Sequence, residues 1–278
     1  MSAKVALVTG ASSGIGEVTA RKLQELGYTV YGAARRADRM VALEKSGVRT
    51  IAMDVTDESS MTAGIEQIIA ETGRIDVLVN NAGYGSYGSV EDTPMDEARR
   101  QFEVNIFGAM SLTQKILPYM REQASGTIVN ISSMGGKIYT PLGGWYHGTK
   151  FALEALSDSL RMEVEPFGID VVVIEPGGIA TEWGGIAADN VEKISGTGAY
   201  REQAQAVAKS LRGGGANRGS KPTVISDAIA KALTAEKPKT RYAVGFGARP
   251  LIAARAVLSD RAFDKLISLA MGIKRPKK

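Results

Sequence analysis

The sequence predicts an α/β fold: one doubly wound, mostly parallel sheet of seven strands, with helices on both faces. Three observations predict it. Short apolar runs alternate with longer amphipathic segments along the 278 residues. The short runs are apolar at nearly every position, as strands covered on both faces must be. A glycine-rich turn joins the first such run to the segment after it.

The elements follow in order. Val5-Ala6-Leu7-Val8-Thr9 is the first strand. Residues 10–16 turn, and a helix runs from there to about residue 26, where Gly27 stops it. Residues 29–34 form the second strand and 48–55 the third, with Thr56 as the cap of the next helix. Residues 75–80 are the fourth strand, followed by one long helix over 96–122. Strand five is 127–132, a helix covers 146–167, and strand six is 169–175. A helix over 226–234 and a short seventh strand over 241–244 complete the pattern. Right-handed crossovers then give a Rossmann arrangement. No linker, repeat or low-complexity segment interrupts it, so residues 1–278 read as a single domain.

Composition bounds the chemistry. Apolar residues make up 44%, enough for a sizeable core. The chain has no Cys, which excludes a disulfide framework, a thiolate nucleophile and a Cys-ligated metal, and no metal site is expected. Met1-Ser2-Ala3-Lys4 leads straight into the first strand without the pattern of a signal peptide. No apolar run reaches the roughly 18 residues of a membrane span, so a cytoplasmic protein without stable membrane insertion is expected. Much of the net charge of +4 sits in Lys274-Arg275-Pro276-Lys277-Lys278, read as a solvated tail. No basic patch with interleaved aromatics appears, which argues against a nucleic-acid partner.

Two segments depart from the strand-helix rhythm. Residues 182–222 carry Gly184-Gly185, Gly196, Gly198, Gly213-Gly214-Gly215 and Asn217-Arg218-Gly219-Ser220-Lys221. So long an irregular stretch after strand six, at the ligand-binding edge of such a sheet, reads as a mobile lid over a substrate. Residues 250–278 read as a helical extension with Leu258, Phe263, Leu266, Ile267 and Leu269, suited to cover a pocket, join subunits or touch a membrane surface.

The turn Thr9-Gly10-Ala11-Ser12-Ser13-Gly14-Ile15-Gly16 carries the first functional signal. Gly10 permits a sharp turn, Gly14 lets backbone approach a pyrophosphate, and Gly16 lets the helix pack closely. The helix N-terminus then offers free N–H groups and a positive dipole end. Strand two ends Ala33-Ala34-Arg35-Arg36, with no carboxylate before Asp38. Arg35 offers a planar fork to a ribose 2′-phosphate, and no acid at position 34 repels one, so the expected cofactor is NADP(H).

A second signal is Tyr146-His147-Gly148-Thr149-Lys150. Residues four apart share a helix face. A phenol titrates near 10, and an ammonium close by lowers that value toward the range useful for proton transfer. His147 is the only histidine; one position along a helix turns a side chain by about 100°, so a structural role is expected.

The pattern Thr-Gly-x-x-x-Gly-x-Gly, together with Asn80-Asn81-Ala82-Gly83 and Tyr146-x-x-x-Lys150, resembles the short-chain dehydrogenase/reductase family, strongly over residues 4–182 and in outline beyond. The resemblance implies a catalytic tetrad of Asn105, Ser133, Tyr146 and Lys150. Ser133 would hold the substrate oxygen, with Ser132 the alternative. Asn105 would help hold a water in a proton relay to Lys150. Ser12, Ser13 and Ile15 would join the three glycines at the cofactor, with Arg36 beside Arg35. Asp54-Val55 would contact adenine, and Asn81, Ala82 and Gly83 would border the adenosine ribose. Asn81 is also placed to tie strands together. Pro176, Gly177, Ile179 and Thr181 would hold the nicotinamide carboxamide, and Lys150 its ribose. Family members are commonly dimers or tetramers, so a homodimer or homotetramer is expected.

These readings imply an oxidoreductase that moves a hydride between NADP(H) and a carbonyl or secondary alcohol, with Tyr146 as acid/base. The expected substrate walls are Tyr84, Tyr87, Tyr139, Leu142, Trp145 and Trp183, which carry few charges and suit an apolar small molecule. Residues 130–150 look similar to the steroid and retinol branch of the family. The alternatives are an NADP(H)-binding sensor without catalysis, and an epimerase or dehydratase that recycles a bound cofactor.

Overall fold

The structure, a computed structural model, describes residues 3–216 and 219–273. Asn217-Arg218 and the basic run 274–278, read above as part of a lid and as a solvated tail, lie outside the described residues. Seven strands form one sheet: β1 Val5–Thr9, β2 Thr29–Ala34, β3 Arg49–Ala52, β4 Val77–Asn80, β5 Gly126–Ile131, β6 Ile169–Pro176 and β7 Arg241–Val244. Their order is β3-β2-β1-β4-β5-β6-β7, and every pair is parallel. The chain therefore winds outward from β1 in both directions. The switch between β1 and β4 opens a crevice at the strands' carboxyl ends, where such sheets bind ligands.

Eleven α-helices are described: α1 Gly14–Glu25, α2 Val41–Glu44, α3 Glu58–Thr72, α4 Met95–Phe102, α5 Ala109–Glu122, α6 Gly144–Val164, α7 Trp183–Ser195, α8 Arg201–Ala216, α9 Thr223–Thr234, α10 Ala248–Val257 and α11 Asp260–Ala270. Side chains alternate across a strand, so each strand feeds two cores. Val8, Val30, Val79 and Val129 meet Ala20 and Leu23 of α1 and Ile225 and Ile229 of α9 on one face. Leu7, Tyr31, Leu78 and Ile128 meet Ile65 and Ile68 of α3 and Leu112 and Ile116 of α5 on the other. Each fully buried Leu, Ile or Val stabilises by about 1.5–3 kcal/mol. This double burial explains the apolar character of the strands at every position.

The structure corrects three expectations. The cap before α3 is Asp57, not Thr56: its carboxylate accepts from the Ser59 and Ser60 N–H groups at 2.9 and 3.3 Å. Thr56 spends its hydroxyl on Asp54 at 2.8 Å instead. The long helix over 96–122 is broken into α4 and α5 by a π-helical stretch, Glu103–Gly108. Such insertions re-aim one side chain and frequently mark functional sites; here the stretch contains Asn105. The third correction concerns residues 182–222, whose described part is not an irregular loop but mostly the helical hairpin of α7 and α8. Buried Ala187, Ala188 and Val191 face Ala204, Val207 and Ala208 at helical spacing, so the apolar period outweighs the glycines. At the chain's end, α10 and α11 pack Leu251, Phe263 and Ile267 around Ile138 and Tyr139, covering the segment after β5.

Candidate active site

The glycine turn sits at the mouth of the crevice. Gly10 has φ +65°, and a Cβ there would stand 2.8 Å from the Asn81 amide nitrogen. A Cβ on Gly16 would overlap the Gly10 carbonyl oxygen. The crevice floor is stitched by Thr9, whose hydroxyl accepts from the Asn81 and Ala82 N–H groups, both at 3.0 Å. The Asn81 amide donates back to the Thr9 carbonyl at 2.9 Å, so Asn81 ties β4 to β1 as expected. Ser13 precedes α1 in an extended conformation and makes no side-chain cap, which leaves the helix's first N–H groups for an anion. Gly14, at φ +56°, lies against Thr181: a Cβ there would stand 3.4 Å from its methyl group.

Thr181 is held by the segment leaving β6. The Gly177 and Gly178 N–H groups donate to the Val244 and Phe246 carbonyls, both at 2.8 Å, and Ala180 N–H to the Ser220 carbonyl at 2.9 Å. Ile179 packs on Gly245. The residues expected at the nicotinamide end thus lie beside the pyrophosphate turn. At the other end Ala34 is buried while Arg35 and Arg36 are exposed. Arg35 and Asp54 share one cavity of about 390 Å³, whereas Val55 is buried with its carbonyl against Gly108. Gly83 is exposed, close to the Asn105 amide oxygen. Uncapped donors, missing Cβ atoms and a free guanidinium in one crevice fit a dinucleotide.

Beyond β5, Ser133 is extended, and its hydroxyl accepts from the Gly135 N–H at 2.9 Å. Burial pushes the Tyr146 phenol up to about 12, and the nearby Ser133 hydroxyl pulls against the rise. The Lys150 ammonium, one turn along α6, donates to the Ile131 carbonyl at 2.9 Å. Burial holds it down to about 8, against the Glu154 carboxylate, which raises it. Ser133, Tyr146 and Lys150 therefore converge where β5 meets α6. Desolvation of Tyr146 dominates, while the ammonium is engaged by a backbone carbonyl.

Asn105 is buried. Its amide accepts from the Tyr84 N–H at 3.0 Å and donates to the Tyr84 carbonyl at 2.9 Å and the Thr149 hydroxyl at 3.1 Å. The side chain clamps the loop after β4 to α6. His147 is structural, as expected. Its ring nitrogens bond the Gly135 carbonyl at 2.9 Å and the Thr140 N–H at 3.0 Å. Burial lowers its pKa to about 4, so it is neutral near neutrality. Ser132 is buried, with a hydroxyl that finds no protein partner among the described residues.

The aromatic walls separate into two groups. Tyr87 and Trp183 pack on Tyr146 at ring-centroid distances of 5.6 and 5.2 Å. Leu142, Ala187, Val191 and Val207 close the same cluster, leaving Tyr146 only 6% exposed. Trp145 does not join it: it packs edge-on against Phe102 at 6.4 Å, because one step along α6 turns it toward α4. The Tyr84 phenol donates to Glu97 at 3.0 Å and is pushed well above its ordinary pKa by burial and that carboxylate. Tyr139 packs on Phe263 of α11, away from Tyr146.

A family model for short chain dehydrogenases matches residues 4–191. This chain belongs to the short-chain dehydrogenase family. It is 38% identical to a 3-ketodihydrosphingosine reductase of Bacteroides thetaiotaomicron, over 88% of this chain and 89% of that one. It is 33% identical to an NADPH-dependent 3-dehydrocapnine reductase of Ornithobacterium rhinotracheale, over 95% of both. A crystal structure of a short-chain dehydrogenase from Streptomyces avermitilis superposes with a TM-score of 0.79 at 34% identity, covering 99% of this chain and 100% of that one.

As a short-chain dehydrogenase the chain is an oxidoreductase, and its doubly wound sheet is that family's fold. Among the described residues no group of three or more His, Asp or Glu could hold a metal ion. No described helix is long and apolar enough to cross a membrane. Trp183 aside, the sequence reading missed the side chains that α7 and α8 supply over Tyr146. Their signal was present in the spacing of Ala187, Ala188 and Val191, and of Ala204, Val207 and Ala208.

Proposed function

We propose that this short-chain dehydrogenase reduces a ketone on an apolar substrate, or oxidises the matching secondary alcohol, with NADP(H) and with Tyr146 as general acid/base. The carrying observation is the grouping of Ser133 with buried Tyr146 and Lys150 where β5 meets α6, at the same sheet edge as the uncapped glycine turn. Arg35 after buried Ala34 supports NADP(H) over NAD(H), as does the cofactor in the name of the Ornithobacterium relative.

NADPH, when bound, supplies the hydride. Gly10, Ser12, Ser13, Gly14, Ile15 and Gly16 receive its pyrophosphate, Arg35 its 2′-phosphate, and Pro176 to Thr181 its carboxamide. Asp54 and the backbone of Asn81 to Gly83 border its adenosine. Ser133 holds the substrate oxygen, and Tyr146 gives that oxygen its proton. Lys150, which donates to the Ile131 carbonyl in the free chain, would hold the ribose hydroxyls of the bound cofactor, and its charge would lower the phenol from about 12. Asn105 is a positioning residue that fixes Tyr84 and Thr149.

The hairpin of α7 and α8 is the lid: it must lift from Tyr146 for a substrate to enter. Its Trp183, Ala187 and Val191 suit an alkyl chain. Two relatives are named as reductases of 3-keto compounds, which supports a ketone within a long apolar molecule. The enzyme is read as a cytoplasmic homodimer or homotetramer, which sedimentation of the purified protein tests.

The test is NADPH consumption with a panel of long-chain, aromatic, steroid and retinoid ketones. Stoichiometric oxidation, abolished in Tyr146→Phe, supports the reading and excludes an internally recycled cofactor. NADPH binding without oxidation on any ketone, identical in Tyr146→Phe, would make the chain a sensor.

A further inference from the structure

β2 and β4 lie on either side of β1. The chain leaving β2 and the helix that follows β4 therefore stand on opposite banks of the crevice above the glycine turn. Arg35 leaves the β2 bank. Arg99 and Arg100, consecutive on α4, stand on the β4 bank. All three line a single cavity of about 390 Å³, together with Asp54, Glu103 and Val104.

The three guanidiniums are uncommitted. None forms an ion pair with another described residue, although arginines elsewhere in the chain do. Arg100 and Arg35 both act electrostatically on the Tyr84 phenol, so their charges converge on one place. Two carboxylates oppose an incoming anion there, Asp54 and Glu103, and Asp54 is turned to the Thr56 N–H at 3.0 Å and hydroxyl at 2.8 Å. Three guanidiniums outnumber them. Free cations gathered around a cavity are costly by mutual repulsion and are relieved by a polyanion.

We propose that Arg99 and Arg100 of α4, together with Arg35, form a three-guanidinium cradle for the 2′-phosphate of NADP(H), so that α4 is a second determinant of cofactor choice. The arginine after strand two would then supply one side of the phosphate and α4 the other. A dianionic phosphate offers three terminal oxygens, more than one planar fork can engage. The inference rests on the NADP(H) reading above and deepens it.

The experiment measures binding, not turnover. Dissociation constants of NADPH, NADH, 2′,5′-ADP and 5′-AMP are obtained by calorimetry on the full chain and on three variants: Arg99→Gln/Arg100→Gln, Arg99→Lys/Arg100→Lys and Glu103→Gln. The Gln pair is expected to weaken NADPH and 2′,5′-ADP about tenfold or more, as loss of a charge-assisted hydrogen bond does. NADH and 5′-AMP should be unchanged. The Lys pair should recover part of the loss through point charge. Glu103→Gln should tighten NADPH and leave NADH alone. Both arginines are exposed, and near-ultraviolet circular dichroism checks that the variants fold.

Equal weakening of NADPH and NADH would assign the arginines to the adenine or the pyrophosphate and overturn the proposal. So would an unchanged NADPH constant in the Gln pair. If the wild-type chain binds NADH as tightly as NADPH, the NADP(H) reading itself falls. If it prefers NADPH and the Gln pair keeps the full preference, only the cradle falls.

Discussion

At the glycine turn the chain leaves polar groups uncommitted; over Tyr146 it commits nearly everything. The N-terminus of α1 is uncapped and Arg35 has no carboxylate partner. Tyr146, by contrast, is enclosed by Tyr87, Trp183 and the hairpin of α7 and α8, and even the Lys150 ammonium is engaged by the Ile131 carbonyl. The difference separates two kinds of recognition. The cofactor side is preorganised, so binding there requires little rearrangement. The proposed substrate side is closed by apolar contact, so on that proposal its chemistry would wait on motion and on a change in the charge state around the phenol.

The sharpest break of that comparison is Tyr146→Phe. General acid/base groups contribute about 10²–10⁴ in rate, so turnover should fall by that range while NADPH affinity holds. If affinity fell with turnover, the closed side would be part of the cofactor side. A companion measurement follows the phenolate absorbance of wild type minus Tyr146→Phe. In the free protein it should appear only toward pH 12, and NADP⁺ should move it to lower pH.

The next effect concerns the shell behind the phenol. His147 is buried with a pKa lowered from 6.5 to about 4. The unfolded chain binds its proton more tightly, so this stability is full above pH 6.5 and is lost as pH falls toward 4. The gap corresponds to about 3 kcal/mol. Glu175 acts in the opposite sense. Burial raises it from 4.5 to about 7, so the folded chain keeps that proton and loses stability as pH rises from 4.5 to 7. Only the difference between wild type and His147→Gln isolates the histidine. Denaturant unfolding at pH 8, 6 and 5 should show the gap between them narrowing with acid. A constant gap would sink the assignment.

The same contrast explains what was legible in the sequence. The glycine turn is a local device: Gly10, Gly14 and Gly16 have fixed spacing because a turn, a pyrophosphate and a helix must fit there. The strands were legible because burial on both faces leaves no polar position. Asp57 was missed because Thr56 and Asp57 both cap well, and only the backbone path decides between them. The π-helical stretch at Asn105 was missed because one inserted residue barely disturbs a helical period. The two helices of the hairpin were hidden by Gly184-Gly185, Gly196 and Gly198, which propensity reads as breakers, whereas tertiary packing of the apolar face on Tyr87 and Tyr146 overrides it. Trp145 was misplaced for another reason: aromatic content predicts a wall, while rotation along α6 decides which cavity it lines.

Gly16→Ala tests the preorganised side with a smaller effect. Its Cβ would overlap the Gly10 carbonyl, which is backbone, and stand 2.6 Å from the Asn81 amide nitrogen, which is held by its bond to the Thr9 carbonyl. Overpacking of this kind costs about 1–3 kcal/mol. Unfolding should register that loss, and NADPH titration should show weaker binding as the turn shifts. Retained affinity would mean that the turn adapts, and the contrast with the lid would weaken.

The smallest effect belongs to the hairpin itself. Arg212 of α8 donates to Asp189 and Glu192 of α7, each at 2.7 Å, on the exposed side of the lid. Solvent screens such pairs, so Arg212→Ala should leave the global unfolding midpoint unmoved. Its consequence is local. With the outer clasp gone, α7 and α8 are joined only by the apolar face they also share with Tyr146. Amide exchange across residues 184–211 should then quicken while that of β1 and α1 stays fixed. Unchanged exchange in the hairpin would show that the apolar face alone sets its opening. Faster exchange everywhere would show that lid and cofactor crevice open as one unit, and the division between a preorganised side and a mobile side would have to be given up.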